Sequence, residues 1–305
     1  MEKRRISGTD LDVSVICLGT MTFGTPVGEK EAISLVRHAF DSGINFFDTA
    51  NMYEGYTRFS GSPGGVAEEY LGKALKGIRK EAVIATKVGM KVGNCPEDEF
   101  TSPAAISKHL DKSLLRLGTD MIDIYYLHKY DPNTRPEDII LALEKAMREG
   151  KIRHYGVSNH TDRQLETLLE TARENNMPGP VICQPPLSML KQDSLADMIP
   201  FCDKRGISVA PFQVLQGGLL TGKYERGEPV PAGSRKEEMS GWVWELNDGI
   251  YDKLDKIKND AKKNGMSMTH YAIQWVLKQP AVVSAIIGVK KKEQIDDAVK
   301  GGSYV

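Results

Sequence analysis

The chain has 305 residues, 40% of them hydrophobic, with 40 basic against 41 acidic side chains and a net charge of −1. That balance excludes a global field for nucleic acid or for an anionic membrane surface. No apolar run approaches the roughly 18 residues of a membrane span, and the charged start Met1-Glu2-Lys3-Arg4-Arg5-Ile6 lacks the apolar core of a signal peptide.

Strand and helix signals then alternate along the chain. Arg5 to Val15, centred on Ser7-Gly8-Thr9-Asp10, predicts a β-hairpin. Val15 to Leu18 is a first core strand ending at Gly19, followed by a helix from Lys30 to Asp41 that Gly43 stops. Strand Asn45 to Phe47 leads to helix Val66 to Lys76, and strand Ala82 to Thr86 to helix Ala104 to Leu117. The last of these is opened by Thr101-Ser102-Pro103, a cap residue with proline in the first turn. Strand Ile122 to Leu127 precedes helix Pro136 to Glu149; strand Tyr155 to Ser158 precedes helix Asp162 to Glu174; strand Val181 to Cys183 precedes helix Leu195 to Lys204. Strand Ile207 to Ala210 opens a long segment, Phe212 to Glu245, before helices Ile250 to Lys263 and Thr269 to Leu277. Strand Val282 to Ile287 and helix Lys292 to Val299 complete the order.

Eight apolar strands separated by helices predict an α/β fold, a (β/α)8 TIM barrel with an N-terminal β-hairpin, as a single domain over residues 1–305. An open doubly wound sheet is the competing arrangement. Its glycine-rich dinucleotide turn is missing after the first core strand. The cysteines Cys17, Cys95, Cys183 and Cys202 are scattered without a CxxC pair. That pattern suggests neither a zinc site nor a disulfide framework and fits a reduced, cytoplasmic setting.

Polar residues with acid–base chemistry sit where the apolar runs end. Asp48 and Tyr53 follow Ile44 to Phe47, Lys87 closes Ala82 to Thr86, and His128 closes Met121 to Leu127. In a parallel α/β protein the C-terminal ends of the strands carry the chemistry. Taken singly, each residue has an ordinary explanation: Asp48 a helix-side cap, Tyr53 a half-buried aromatic, Lys87 a solvated loop charge, His128 a satisfied core histidine. Tyr125 and Tyr126, inside their strand, read as packing. Jointly, the four read as a proton-transfer site. An ammonium at Lys87 lowers the pKa of a neighbouring phenol at Tyr53, Asp48 holds that ammonium, and His128 adds a hydrogen-bonding imidazole at the same rim.

Five stretches, in order, carry a family resemblance: Asp48-Thr49-Ala50-Asn51-Met52-Tyr53, Leu71-Gly72-Lys73-Ala74-Leu75, Ala85-Thr86-Lys87, Gly156-Val157-Ser158-Asn159 and Gly218-Leu219-Leu220-Thr221-Gly222-Lys223-Tyr224. Together the chain resembles the aldo-keto reductases over nearly its whole length. The resemblance implies an (α/β)8 barrel that binds NADP(H) and reduces aldehydes or ketones, with catalytic roles for Asp48, Tyr53, Lys87 and His128. It further implies nicotinamide contacts at Ser158, Asn159 and Gln184 and an aromatic stack at Phe212. Other cofactor contacts fall on Gly19, Thr20, Met21, Asp48, Gln213, Leu215, Gly217, Gly218, Lys223, Arg235, Gly288, Lys290, Gln294 and Asp297.

Several of these have local readings too. Ser158-Asn159-His160-Thr161 serves equally as a helix cap before Asp162. Gly217-Gly218 lets a backbone approach a pyrophosphate, while Lys223 and Arg235 read either as phosphate contacts or as surface charges. The basic run Lys290-Lys291-Lys292 opens a helix, where an anion is favoured and lysine is not, which suits an adenosine 2′-phosphate; the alternative is a solvated run.

Departures from the family pattern are Gln294 for a basic residue, Asp297-Ala298 for Glu-Asn, Gln184-Pro185-Pro186-Leu187 for Gln-x-x-Tyr, and Phe212-Gln213-Val214-Leu215 for Tyr-Ser-Pro-Leu. The stretch Tyr56 to Val66, with Arg58, Phe59 and Ser60-Gly61-Ser62-Pro63-Gly64-Gly65, is longer than the family's link and reads as a flexible loop. Trp242 and Trp244 either shape a substrate pocket with it or pack their own loop. The expected partner is a small carbonyl substrate, with neither nucleic acid nor membrane, for a monomer or small homo-oligomer. A nucleotide-sensing regulatory subunit, like the channel β-subunits related to this family, is a second reading. A metal-dependent hydrolase using Asp48 and His128 is a third; His38, His109, His154, His160 and His270 are dispersed, and no metal is expected.

Overall fold

A computed structural model describes residues 1–303. A two-stranded antiparallel hairpin, β1 (Lys3–Arg5) and β2 (Asp12–Ser14), comes first. Eight parallel strands follow: β3 (Ile16–Gly19), β4 (Phe46–Asp48), β5 (Val83–Val88), β6 (Ile122–Leu127), β7 (Ile152–Ser158), β8 (Ile182–Gln184), β9 (Ser208–Val209) and β10 (Ala285–Gly288). They hydrogen bond in the order β10-β3-β4-β5-β6-β7-β8-β9. Closure comes from the chain just before β10. Val209 N donates to Ala281 O at 2.8 Å, and Val283 N donates to Val209 O at 2.9 Å. The sheet is therefore a barrel, as the alternation predicts.

Around it lie α1 (Glu29–Asp41), α2 (Val66–Leu75), α3 (Pro103–Leu117), α4 (Pro136–Arg148), α5 (Asp162–Glu174), α6 (Met198–Arg205), the short α7 (Arg235–Glu238), α8 (Asp248–Lys263), α9 (Met268–Leu277) and α10 (Lys292–Gly302). Helix starts follow their caps. Ser102 Oγ accepts from Ala105 N at the head of α3, and Pro103 fills the first helical position. Gly118, in the left-handed region at φ 60°, ends the same helix.

Strands buried on both faces explain the unbroken apolar runs. Side chains alternate between the barrel interior and the helix layer. Cys17, Phe46, Ala85, Ile124, Tyr126, Ile182, Ala210 and Ile286 form the interior cluster. Leu18, Phe47, Ile84, Tyr125, Leu127 and Val157 pack outward with the helices. Two residues on from each inward residue, the side chain points inward again at the C-terminal rim. That rule places Gly19, Asp48, Lys87, His128, Gln184, Phe212 and Gly288 around one mouth. The opposite end is plugged by the hairpin, whose Ile6, Leu11 and Val13 join the interior cluster.

Several boundaries differ from the sequence expectation. The hairpin ladder begins at Lys3. β7 begins at Ile152 rather than Tyr155, because Arg153 ties the lower end of the strand to Asp123 and Asp10. The β10 ladder begins at Ala285, while Val282 and Val283 turn their hydrogen bonds toward β9. α6 begins at Met198, after a separate 3-10 turn over Asp193–Leu195.

Candidate active site

Asp48 is the last residue of β4, Lys87 lies inside β5, and His128 follows β6 directly. Tyr53 is set by the turn after β4: Tyr53 N donates to Ala50 O at 3.0 Å, and Ala67 N at the start of α2 donates to Tyr53 O at 3.0 Å. The Lys87 side chain has no solvent exposure. Its ammonium donates to Asp48 Oδ2 at 2.6 Å, to the Thr49 carbonyl at 2.8 Å and to the Tyr53 hydroxyl at 3.3 Å. All three ammonium hydrogens thus have an acceptor, which a buried cation requires. The His128 ring meets the Tyr53 ring edge-on at 5.9 Å between centroids. The structure brings together all four residues of the sequence-derived constellation.

The electrostatics refine that expectation. Burial works against the charge on Lys87, but Asp48, and then Tyr53, hold its pKa above the ordinary lysine value. Tyr53 departs from the sequence reading. Burial of its hydroxyl raises the pKa, and the opposing pull of Lys87 does not overcome it. The phenol therefore stays protonated at neutral pH. His128 is pushed well below the ordinary histidine value by burial and by the charges of Lys87 and Lys129, so its imidazole is neutral. Its Nδ1 is buried without a hydrogen-bond partner.

The adjoining rim carries the residues expected to hold a cofactor. Cap duty for α5 falls on Thr161, whose side chain accepts from Gln164 N, which leaves Ser158 and Asn159 at the rim. Ser158 Oγ donates to Gln184 O at 2.9 Å, and Asn159 Nδ2 donates to His128 O at 2.8 Å. Thr20 N donates to Asp48 O at 2.9 Å, and Met21 follows it, half-buried. Phe212 is half-buried beside the interior cluster, held by its backbone pairing with Pro186. Gln213 adopts φ 61° and Leu215 packs inward beyond it.

Gly217 and Gly218 both adopt positive φ, and a Cβ on Gly218 would stand 2.7 Å from Lys223 Nζ. Lys223 has its pKa lowered by desolvation and by the nearby cations Lys290 and Arg235. Lys223 and Arg235, both on the long segment after β9, therefore converge with Lys290 from the turn after β10, and Glu238 pairs with Lys290. A glycine-lined backbone beside such a cluster fits a bound polyanion such as a dinucleotide pyrophosphate. Gln294 and Asp297 are committed elsewhere. The Gln294 side chain accepts from Lys290 N and Lys291 N to cap α10, and Asp297 pairs with His270 at 2.7 Å.

The loop after β4 reaches the same cluster, a contact that the sequence reading missed. Arg235 lies over the Tyr56 ring at 5.0 Å, Lys290 lies at 5.9 Å, and Trp242 packs against Tyr56 at 6.5 Å. Trp242 remains 54% exposed, so it both packs this strap and faces solvent. Trp244 packs with the apolar cluster beneath α8. No local pattern in the sequence marks Tyr56, because its partners lie on distant loops. Among the described residues, no three His, Cys, Asp or Glu side chains converge as metal ligands, and no helix is long and apolar enough to cross a membrane.

The sequence profile of the Aldo/keto reductase family matches residues 15–303, the whole barrel. The chain belongs to the aldo-keto reductase family. It is 34% identical to the uncharacterized oxidoreductase YrpG of Bacillus subtilis (strain 168), over 98% of this chain and 90% of that protein. It is 30% identical to the L-glyceraldehyde 3-phosphate reductase of Escherichia coli (strain K12), over 98% and 87%. A probable voltage-gated potassium channel subunit beta of Oryza sativa subsp. japonica is 29% identical over 98% and 90%. One stretch that resembles the aldo-keto reductases has a plain packing cause. At Gly72 a Cβ would stand 2.6 Å from the Leu117 carbonyl, so α2 can meet the end of α3 only through a glycine.

Proposed function

We propose that the protein is an NADPH-dependent reductase of aldehydes or ketones, with Tyr53 as the proton donor. The observation that carries this reading is the fully buried Lys87 ammonium, held by Asp48 and 3.3 Å from the Tyr53 hydroxyl. When bound in the rim groove, NADPH would supply the hydride for the carbonyl carbon. Ser158 and Asn159 would hold the nicotinamide end, Phe212 would stack beside it, and Gly217, Gly218, Lys223, Arg235 and Lys290 would hold the phosphates. Neutral His128 orients the carbonyl oxygen by donating one N–H. As charge builds on that oxygen, Tyr53 passes its proton to it, and Lys87 stabilises the phenolate left behind.

The preference for NADP(H) over NAD(H) is supported by the basic run Lys290-Lys291-Lys292 leading into α10, which suits an adenosine 2′-phosphate, and a cytoplasmic setting by four free cysteines. Residues 1–305 would act as one barrel domain. Relatives named as channel β-subunits support a second reading, a nucleotide-binding subunit with slow turnover. Fluorescence titration with NADPH and NADH, followed by a panel of carbonyl substrates, tests both. Tight NADPH binding with rapid turnover supports the reductase. Binding with negligible turnover on every carbonyl supports the regulatory subunit, and binding of neither nucleotide overturns the cofactor assignment.

A further inference from the structure

We infer that Gln184 is a positioning residue for the proton-transfer unit, holding the second oxygen of Asp48 so that the first stays on Lys87. This deepens the proposed function and rests on that reading of Tyr53.

Gln184 Nε2 donates to Asp48 Oδ1 at 2.8 Å, while Lys87 occupies Oδ2 at 2.6 Å. Asp48 and Gln184 are each only 3% exposed. A carboxylate can only accept, so the amide must present its nitrogen here. The two donors approach different oxygens and together fix the plane of the carboxylate. Gln184 is itself fixed, because its carbonyl accepts from Ser158 Oγ and its strand pairs with β7 and β9. The buried Tyr126 hydroxyl also faces the Gln184 side chain. Among the described residues, Gln184 and Lys87 are the side chains hydrogen bonded to the Asp48 carboxylate; the Thr20 hydroxyl donates to the Asp48 backbone carbonyl at 3.1 Å.

The consequence follows from the chain of contacts. Without the amide, Oδ1 is a buried acceptor with no donor, and the carboxylate turns to share Lys87 between both oxygens. The hold on the ammonium then weakens. Lys87 keeps its charge against burial mainly because of Asp48, so it gives up its proton at lower pH. The other titratable groups facing this unit are Tyr53 from the β4 loop, Cys17 from β3, and Tyr126 and His128 on and after β6. Tyr53, Cys17 and His128 take no hydrogen bond from Gln184, whereas the Tyr126 hydroxyl faces the Gln184 side chain and loses that neighbour in the similarly sized Gln184→Met.

Two measurements test this, one of them without cofactor or turnover. In the free protein, urea unfolding of Gln184→Met, Asp48→Asn and the double variant should be coupled by at least about fivefold in the unfolding constant. Additivity within about twofold overturns the inference. At saturating NADPH with 4-nitrobenzaldehyde, the alkaline limb of kcat in Gln184→Met should move down by at least half a pH unit. A residue that only grips nicotinamide would weaken NADPH binding and leave the limb in place, which also overturns it. If the wild-type protein reduces no carbonyl, the proposed function fails while the unfolding cycle still decides the role of Gln184. If Asp48→Asn does not fold, the position of the limb decides it.

Discussion

Lys87 shows how a single buried charge organises its neighbours. An ammonium with no exposure is tolerated only because Asp48, Thr49 and Tyr53 accept all its hydrogens. The same burial keeps Tyr53 protonated and His128 neutral. His128 carries a measurable consequence. Its folded pKa lies below the unfolded value near 6.5, so the unfolded chain takes up protons first as pH falls. Its contribution is complete above about pH 6.5 and is lost progressively below it, by up to about 1.4 kcal/mol per pH unit. His109, His154 and His160 act in the same direction. Urea unfolding between pH 7 and 5 should therefore show falling stability, with a shallower slope in His128→Asn. Identical slopes would mean that the imidazole is not held neutral by the fold.

Elements are legible in the sequence to the degree that their reasons are local. Asp48, Lys87 and His128 could be placed because each stands at or just beyond the end of an apolar run; that they share an inward face with Phe46, Ala85 and Tyr126 is decided by the barrel. Thr101-Ser102-Pro103 announces α3 for the same local reason. Whether Ser158 or Thr161 caps α5 depends on where β7 ends, which pairing with β6 and β8 decides. The net pKa of Tyr53 depends on burial, which no residue spacing reports. The meeting of Tyr56 with Arg235, Lys290 and Trp242 joins three loops and left no local pattern. Gly72 offers a test at this scale. Gly72→Ala must part α2 from the Leu117 carbonyl, and overpacking of this kind costs about 1–3 kcal/mol. Calorimetry should show a clearly lower Tm, and an unchanged Tm would mean that the two helices adjust freely.

Residues 1–303 form a barrel with the candidate site at one end and a plug at the other. The hairpin buries Ile6, Leu11 and Val13 in the interior cluster. It also ties to the barrel through Ser7 N to Ser208 Oγ at 2.9 Å and Arg4 to the carbonyls of Leu277 and Val282. Each buried aliphatic side chain contributes about 1.5–3 kcal/mol, against a typical total stability of about 5–15 kcal/mol. Deleting residues 1–14 should leave little folded protein by circular dichroism at 37 °C. A deletion variant melting like the full chain would show that the plug is dispensable. At the open end, Tyr53 is the proposed proton donor, and Tyr53→Phe tests that role most directly. We predict that NADPH binding and Tm stay close to wild type while kcat for carbonyl reduction falls about 10²–10⁴-fold. Turnover in Tyr53→Phe equal to that of the wild type would contradict the mechanism.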